Sequence, residues 1–259
     1  MAFGQSIRGS VNESVNAERQ IVSTSPTLLA FDSATTGCSV SVVRGSDVLA
    51  HDAREMARGQ AEVLLPMAMA ALKAAGLGAK DLDAVAVTRG PGAFTGMRIG
   101  LSAARAFALS LGVPCIGVTT LEAVAHGVSQ DERQGRVILA AIESKRDDIY
   151  VQFFSDMLAP LCDPTAADGP ALAARVADLV ADNGSILIVG DASARAHDML
   201  AGENLSADLG TAPTLPDTRI VASIAVSRLG AEKNAPPPEP LYLRPPDAKM
   251  PKNQGRARP

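Results

Sequence analysis

Short apolar runs and longer segments of helical periodicity alternate along the chain. From Thr27 onward three short runs follow one another, TLLAFDS, GCSVSVV and DVLAHD, with turn residues between them. This pattern is typical of three consecutive strands in an antiparallel meander. Next come a helical segment (QAEVLLPMAMAALKAA), a buried-type strand (LDAVAVT) and a second helical segment (MRIGLSAARAFALSL). A further strand (VPCIGVTT) and a short helix at 121–126 complete the order βββαβαβ.

A similar order begins again after the polar stretch SQDERQGR. VILAAIES and DIYVQFFS read as strands, ALAARVADLVAD as a helix, SILIVGDA as a strand and SARAHDML as a helix. Asp32 and Glu143 each end an apolar strand, and in both places a serine and then a fresh strand follow. We therefore predict an α/β fold with duplicated βββαβα units. The alternative is that many unrelated α/β domains open with strand–turn–strand.

The same pattern divides the chain into four parts. Residues 1–26 carry no periodic apolar pattern and are predicted to be a disordered extension. Residues 27–127 form the first lobe, and 128–230 form the second lobe together with a closing helix that begins near Asp217 or Thr218. Residues 231–259 are an extended Pro-rich tail. Its last part, 244–259, holds five cations against one aspartate, so weak contact with tRNA is an open alternative there.

Composition and charge exclude several classes of protein. The chain of 259 residues has 24 Lys+Arg against 28 Asp+Glu, a net charge of −4, so an overall nucleic-acid-binding footprint is excluded. No run approaches the roughly 18 apolar residues of a membrane span, and the N-terminal segment lacks the apolar core of a signal peptide. The 3 cysteines include no CxxC pair, which fits a reducing compartment. We expect a cytoplasmic protein without membrane contact.

The histidines give no local metal motif. His51, His126 and His197 lie far apart in the sequence, so a metal site would have to be assembled from distant segments. We expect no metal.

One glycine-rich segment could bind an anion. The sequence TRGPGAFTGMRIG joins a strand to the start of a helix, where backbone N–H groups and the helix dipole attract negative charge. The alternative is that its glycines permit a tight turn and close backbone packing. Asp32 ends the first strand, where an acidic side chain could hold a metal–phosphate group or could simply form the turn. The residues predicted near an anion or nucleotide are Asp32, Gly90, Gly92, Thr95 and Gly96.

The two helices of the first lobe carry few charges and so are expected to be buried on most sides. One side of each can cover the chain's own sheet, and the other then needs a partner. A stripe of small residues on the second helix, at spacing i, i+4, i+8, permits close helix approach; whether it faces a partner or the chain's own sheet is open. The predicted partner-interface residues are Leu64, Leu65, Ala68, Leu72, Gly100, Ala104, Phe107 and Ala108.

Several segments together resemble the bacterial TsaB (YeaZ) family. They are LAFDSATTGCSVSVV, GQAEVLLP, TRGPGAFTGMRIGLSAARAFALSLGVPCIGVTTLEAVAHG, AAIESKRDDIYVQFF and EPLYLRP. The resemblance implies two actin/hexokinase-like (ASKHA) lobes and a role in making threonylcarbamoyladenosine beside the tRNA anticodon. It also implies partnership with a TsaD-like catalytic subunit and a TsaE-like ATPase.

The resemblance further implies that the chain is not itself an enzyme. Where the catalytic paralogue has two metal-binding histidines, this sequence has Thr120 and Val124, and valine cannot ligate a metal. We therefore expect no catalytic residue and no intrinsic cofactor, although ATP or ADP could bind within the assembled complex. The chain alone is expected to form a homodimer and to reach tRNA only through the complex.

Two enzymatic functions are the alternatives. The first is an ATP-dependent ASKHA-type kinase or ATPase, although no glycine follows Asp32 until Gly37. The second is a metallopeptidase relative, which the missing histidines disfavour.

Overall fold

The structure is a computed structural model and describes residues 25–180 and 184–244. Nearly all of the predicted N-terminal extension, and the basic tail beyond Arg244, lie outside the described residues. Within the described part, no helix has both the length and the apolar character needed to cross a membrane.

The first unit is a five-stranded mixed sheet covered by helices. Its elements are β1 (Thr27–Asp32), β2 (Gly37–Arg44), β3 (Asp47–Glu55), α1 (Gln60–Ala74), a 3-10 turn (Ala79–Asp81), β4 (Ala84–Thr88), α2 (Phe94–Leu111), β5 (Cys115–Val118), α3 (Thr120–Ala125) and the linking helix α4 (Gln130–Arg133). The strand order is β3-β2-β1-β4-β5. The pairs β1–β2 and β2–β3 are antiparallel, while β4 and β5 continue parallel to β1.

The second unit repeats this topology. Its elements are β6 (Arg136–Glu143), β7 (Ile149–Phe154), β8 (Thr165–Ala167), α5 (Gly169–Leu179), β9 (Ser185–Val189), α6 (Ser193–Gly202) and β10 (Asp208–Leu209), and α7 (Thr218–Glu232) follows. Its strand order is β10-β9-β6-β7-β8. When the strands are numbered within each unit and this sheet is read from β8, both sheets have the order third, second, first, fourth, fifth. The predicted duplication is confirmed.

The first sheet is buried on both faces because helices cover each of them. All six residues of β1 are buried, and alternate side chains enter different cores. Leu29 and Phe31 pack with the inner sides of α1 and α2. Leu28 and Ala30 pack on the opposite face of the sheet against α7.

The placement of α7 corrects the predicted domain boundary. The sequence analysis put this closing helix in the second lobe, but its buried residues Val221, Ala222 and Ala225 share a core with β1. At its start, the hydroxyls of Thr218 and Ser41 are hydrogen-bonded at 2.7 Å. The physical reason is that α1 and α2 both pack on one face of the first sheet, so the other face needs a helix from elsewhere in the chain.

Candidate functional site

The glycine-rich turn before α2 is packed tightly against the turn after β1. A Cβ atom on Gly92 would lie 2.1 Å from the carbonyl oxygen of Ala34, and one on Gly96 would lie 2.1 Å from that of Ser33. The Ala93 N–H donates to the Ala34 carbonyl at 2.6 Å, so this donor is already used. Carbonyl oxygens therefore stand where a phosphate would have to enter.

The other predicted members of this loop do not form an anion cradle either. Gly90 has φ +98°, and a Cβ there would lie 2.3 Å from the sulfur of Met97, so a turn and a close contact require glycine. Thr95 is exposed on the first turn of α2. The structure thus supports the alternative given above: the glycines permit a tight turn and close backbone packing.

Asp32 is a buried and hydrogen-bonded carboxyl group. It is 1% exposed, and its Oδ1 accepts hydrogen bonds from Thr88 Oγ1 at 2.5 Å and from the Ala34 N–H at 3.2 Å. Burial raises the pKa of Asp32 to about 6; these hydrogen bonds oppose the shift and the charge of Asp191 adds to it. The equivalent Glu143 in the second unit forms an ion pair with Arg195 at 2.9 Å. Both carboxyl groups are held by protein partners.

The predicted partner interface on α1 and α2 is largely wrong. Six of the eight residues are buried inside the first unit: Leu64, Ala68, Leu72, Gly100, Ala104 and Ala108. A Cβ on Gly100 would lie 2.8 Å from Ser33 Oγ and 3.5 Å from Val87 Cγ2, so the small-residue stripe faces the chain's own sheet. Its small side chains let α2 approach that sheet closely.

The two remaining predicted residues are more accessible. Phe107 is partly buried, with its ring centroid 5.7 Å from that of Phe31. Leu65 is 47% exposed.

A different apolar surface lies on the outer sides of these helices. We call it the α1–α2 outer face and define it by Leu65, Met69, Ala106 and Leu109. Leu65, Met69 and Leu109 are 47%, 56% and 86% exposed, and Ala106 is exposed between Arg105 and the partly buried Phe107. Both helices pack on the same side of the first sheet and contact each other, so these exposed side chains lie on neighbouring helices. Met69 and Leu109 were not among the predicted interface residues. Their signal in the sequence is that each is apolar yet lies outside the helical-spacing stripe that faces the core.

A cleft of about 1000 Å³ lies between the two units. Its walls come from the start of α1, the start of α2, the β6–β7 connection and the segment 241–244. The sequence analysis did not single out this cleft, because its walls are brought together only by the fold.

Two positions were compared above with the metal-binding histidines that the resemblance implies for the catalytic paralogue. Thr120 and Val124 are buried in α3, at 0% and 2% exposure. Among the described residues, no three or more His, Cys, Asp or Glu side chains are grouped so that they could hold a metal ion.

Comparison with known proteins gives three findings. The family of TsaD, the tRNA N6-adenosine threonylcarbamoyltransferase, matches residues 53–168. An uncharacterized protein of Mycobacterium tuberculosis is 35% identical over 225 residues, which cover 86% of this chain and 94% of that protein. The tRNA threonylcarbamoyladenosine biosynthesis protein TsaB of Escherichia coli is 39% identical over 123 residues, which cover 48% of this chain and 52% of that protein.

Among solved structures, YeaZ from Pseudomonas aeruginosa has a TM-score of 0.66 and 25% sequence identity. The match covers 84% of this chain and 100% of the YeaZ chain. With the repeated strand order, this likeness confirms the predicted α/β fold of two duplicated units.

Proposed function

The chain belongs to the TsaB (YeaZ) family, and from this membership we propose that it is the non-catalytic subunit that binds a TsaD-like transferase. Its biological role is in the biosynthesis of threonylcarbamoyladenosine in tRNA, the process for which its TsaB relatives are named. The transferase partner would carry out the chemistry, and this chain would keep it competent.

The observation that carries the proposal is the α1–α2 outer face. Leu109 is 86% exposed, and Leu65 and Met69 on the neighbouring helix are about half exposed. Burying such side chains against a partner contributes roughly 25 cal/mol for each Å² of apolar surface. Exposed apolar side chains on two neighbouring helices are typical of a protein–protein contact surface.

The polar residues at the end of β1 support a non-catalytic role. Asp32 is satisfied by Thr88 and the Ala34 N–H, and the glycine-rich turn is filled by the carbonyl oxygens of Ser33 and Ala34. A kinase or ATPase would need these groups free to meet phosphate and its metal. Their packing argues against that alternative.

The remaining partners follow from the same proposal. In the absence of the transferase, two copies of the chain would cover each other's α1–α2 outer face as a homodimer. A TsaE-like ATPase and its ATP or ADP would join at the assembled complex, and the chain itself would contribute no cofactor.

A reconstituted modification reaction tests the proposal. The transferase, the ATPase, an activated threonylcarbamoyl donor and unmodified tRNA are mixed with and without this chain, and modified adenosine is quantified by mass spectrometry. We expect product only when both the transferase and this chain are present. Product from this chain without the transferase, or an equal rate without this chain, would contradict the proposal.

A further inference from the structure

The cleft between the two units is basic, although the chain as a whole is acidic. Five cationic side chains line it against the two carboxylates of Glu62 and Glu143, and the cations are Arg58, Arg98, Lys145, Arg146 and Arg244. They come from four separate segments of the chain. Glu143 is in addition paired with Arg195, and Arg244 is paired with Asp148. The cleft therefore offers an anionic ligand several separated charge contacts.

Aromatic side chains are concentrated in the same place. The chain has only 6 Phe, 2 Tyr and no Trp, yet both tyrosines and Phe94 line this cleft. Phe94 is 55% exposed and Tyr242 is 43% exposed. A chain with so few aromatic residues has placed three of them beside its cationic cluster, which is the combination that binds bases and phosphates of nucleic acid.

These groups are already assembled with one another. The guanidinium carbon of Arg98 lies 3.6 Å from the centroid of the Phe94 ring, and Arg98 Nε donates to the Tyr242 hydroxyl at 2.7 Å. The rings of Phe94 and Tyr242 are 5.7 Å apart. Because Arg98 lies over one face of Phe94, the exposed remainder of that ring is available to a planar base.

The groups that line the cleft favour a nucleic-acid strand over a single nucleotide as the ligand. A nucleoside triphosphate needs several donors converging on one group of phosphates. Here the turn that could supply them is filled by the carbonyl oxygens of Ser33 and Ala34, and the cations come from four segments around the cleft. Cations from several segments beside an exposed ring suit a strand whose phosphates and bases are spaced along it.

We propose that this cleft binds a single-stranded segment of RNA, with one unpaired base stacked on Phe94 and phosphates paired with the surrounding cations. The proposal goes beyond contact with RNA through a partner, because it gives this chain a site of its own. It does not rest on the proposed function, since the cleft is complete without another protein.

The test is fluorescence anisotropy of a labelled single-stranded oligoribonucleotide of eight residues with the full-length chain, over a range of salt concentrations. The double variant Lys145→Gln/Arg146→Gln should weaken binding and reduce the log–log salt slope by about 1.4, since each contact to a single strand contributes roughly 0.7. Phe94→Leu should weaken binding about tenfold while leaving the salt slope unchanged, because stacking is lost and no charge is removed.

The matched control removes two cations far from the cleft. Lys80→Gln/Lys233→Gln carries the same change in net charge, and neither residue lines the cleft. We expect wild-type binding from it, and unchanged melting temperatures show that all variants are folded.

Three results would overturn the proposal. One is equal binding by the cleft variants and the control pair, which would place RNA contact elsewhere, for example on the basic tail. Another is displacement of the RNA by ATP or AMP at equal concentration, which would make the ligand a single nucleotide. The third is equally tight binding of a polyglutamate peptide of matched charge.

Discussion

The carboxyl group of Asp32, at the end of β1, is buried and accepts two hydrogen bonds. Burial raises its pKa to about 6 from 3.8, so between these two values the folded protein keeps a proton that the unfolded chain releases. The free energy of unfolding therefore falls as the pH rises from about 4 to 6, and the loss persists above pH 6. Asp191, a partly buried carboxyl group whose pKa is raised by desolvation, adds in the same direction.

Replacing Asp32 by asparagine should remove most of this pH dependence. The amide is neutral and can still accept the Thr88 hydroxyl, so Asp32→Asn should increase the free energy of unfolding at pH 7.5 by about 2–3 kcal/mol, since each pKa unit corresponds to about 1.4 kcal/mol. Urea unfolding of the variant and of the wild type at pH 4 and pH 7.5 measures this difference in the free energy of unfolding. The exposed Asp131→Asn is the control and should change little at either pH. An Asp32→Asn variant less stable than wild type at pH 7.5 would contradict this prediction.

At the scale of the element, the helix α2 buries one side against the first sheet and exposes the other. Ala104 is fully buried against the first sheet, while Ala106, two residues later, is exposed on the outer face. The two positions carry the same side chain, so the direction in which each faces decides the effect of a substitution.

The pair Ala104→Arg and Ala106→Arg tests this division. Ala104→Arg would put an unpaired cation into the core and should lower the free energy of unfolding by about 3–5 kcal/mol, enough to remove cooperative melting or to lower the melting temperature by more than 10 °C. Ala106→Arg should leave the melting temperature within about 2 °C of wild type. Thermal unfolding by circular dichroism measures both. Similar melting of the two variants would mean that the stripe is not part of the core.

The sequence predicted the helices and strands more accurately than it predicted which of them pack against each other. Apolar periodicity identified α1, α2 and the long strands, because each has a length and a pattern of its own. The three residues of β8 are too few for a pattern to show. The position of α7 depends on which sheet face the other helices leave uncovered, and that is a property of the fold.

The same limit explains the errors at the candidate site. An alanine-rich apolar helix can be rotated about its axis with little change in pattern, so the sequence alone left open which side of α2 met the sheet. The contact between Gly100 and Ser33 joins residues 67 positions apart and decides that rotation. The family itself was recognisable because segments such as 88–127 match it closely.

At the scale of the whole molecule, the two units share one topology but differ in their surroundings. The first has helices on both faces of its sheet, of which α1 and α2 present an apolar outer face. The segment 241–244 runs from the first unit to the second: the Leu241 N–H donates to the Arg89 carbonyl at 2.8 Å, and Arg244 forms an ion pair with Asp148. The outer face and the cleft thus contain different residues of the same two helices.

Isothermal titration of this chain with a TsaD-like subunit measures whether the α1–α2 outer face binds the transferase. Leu65→Asp/Leu109→Asp should weaken binding at least thirtyfold, the loss of about 2 kcal/mol typical of a contact hot spot, without lowering the melting temperature appreciably. Met157→Asp, an equally drastic change at a residue 79% exposed on the second unit, should bind like wild type. Wild-type affinity for the double variant, with or without an effect of Met157→Asp, would contradict the account.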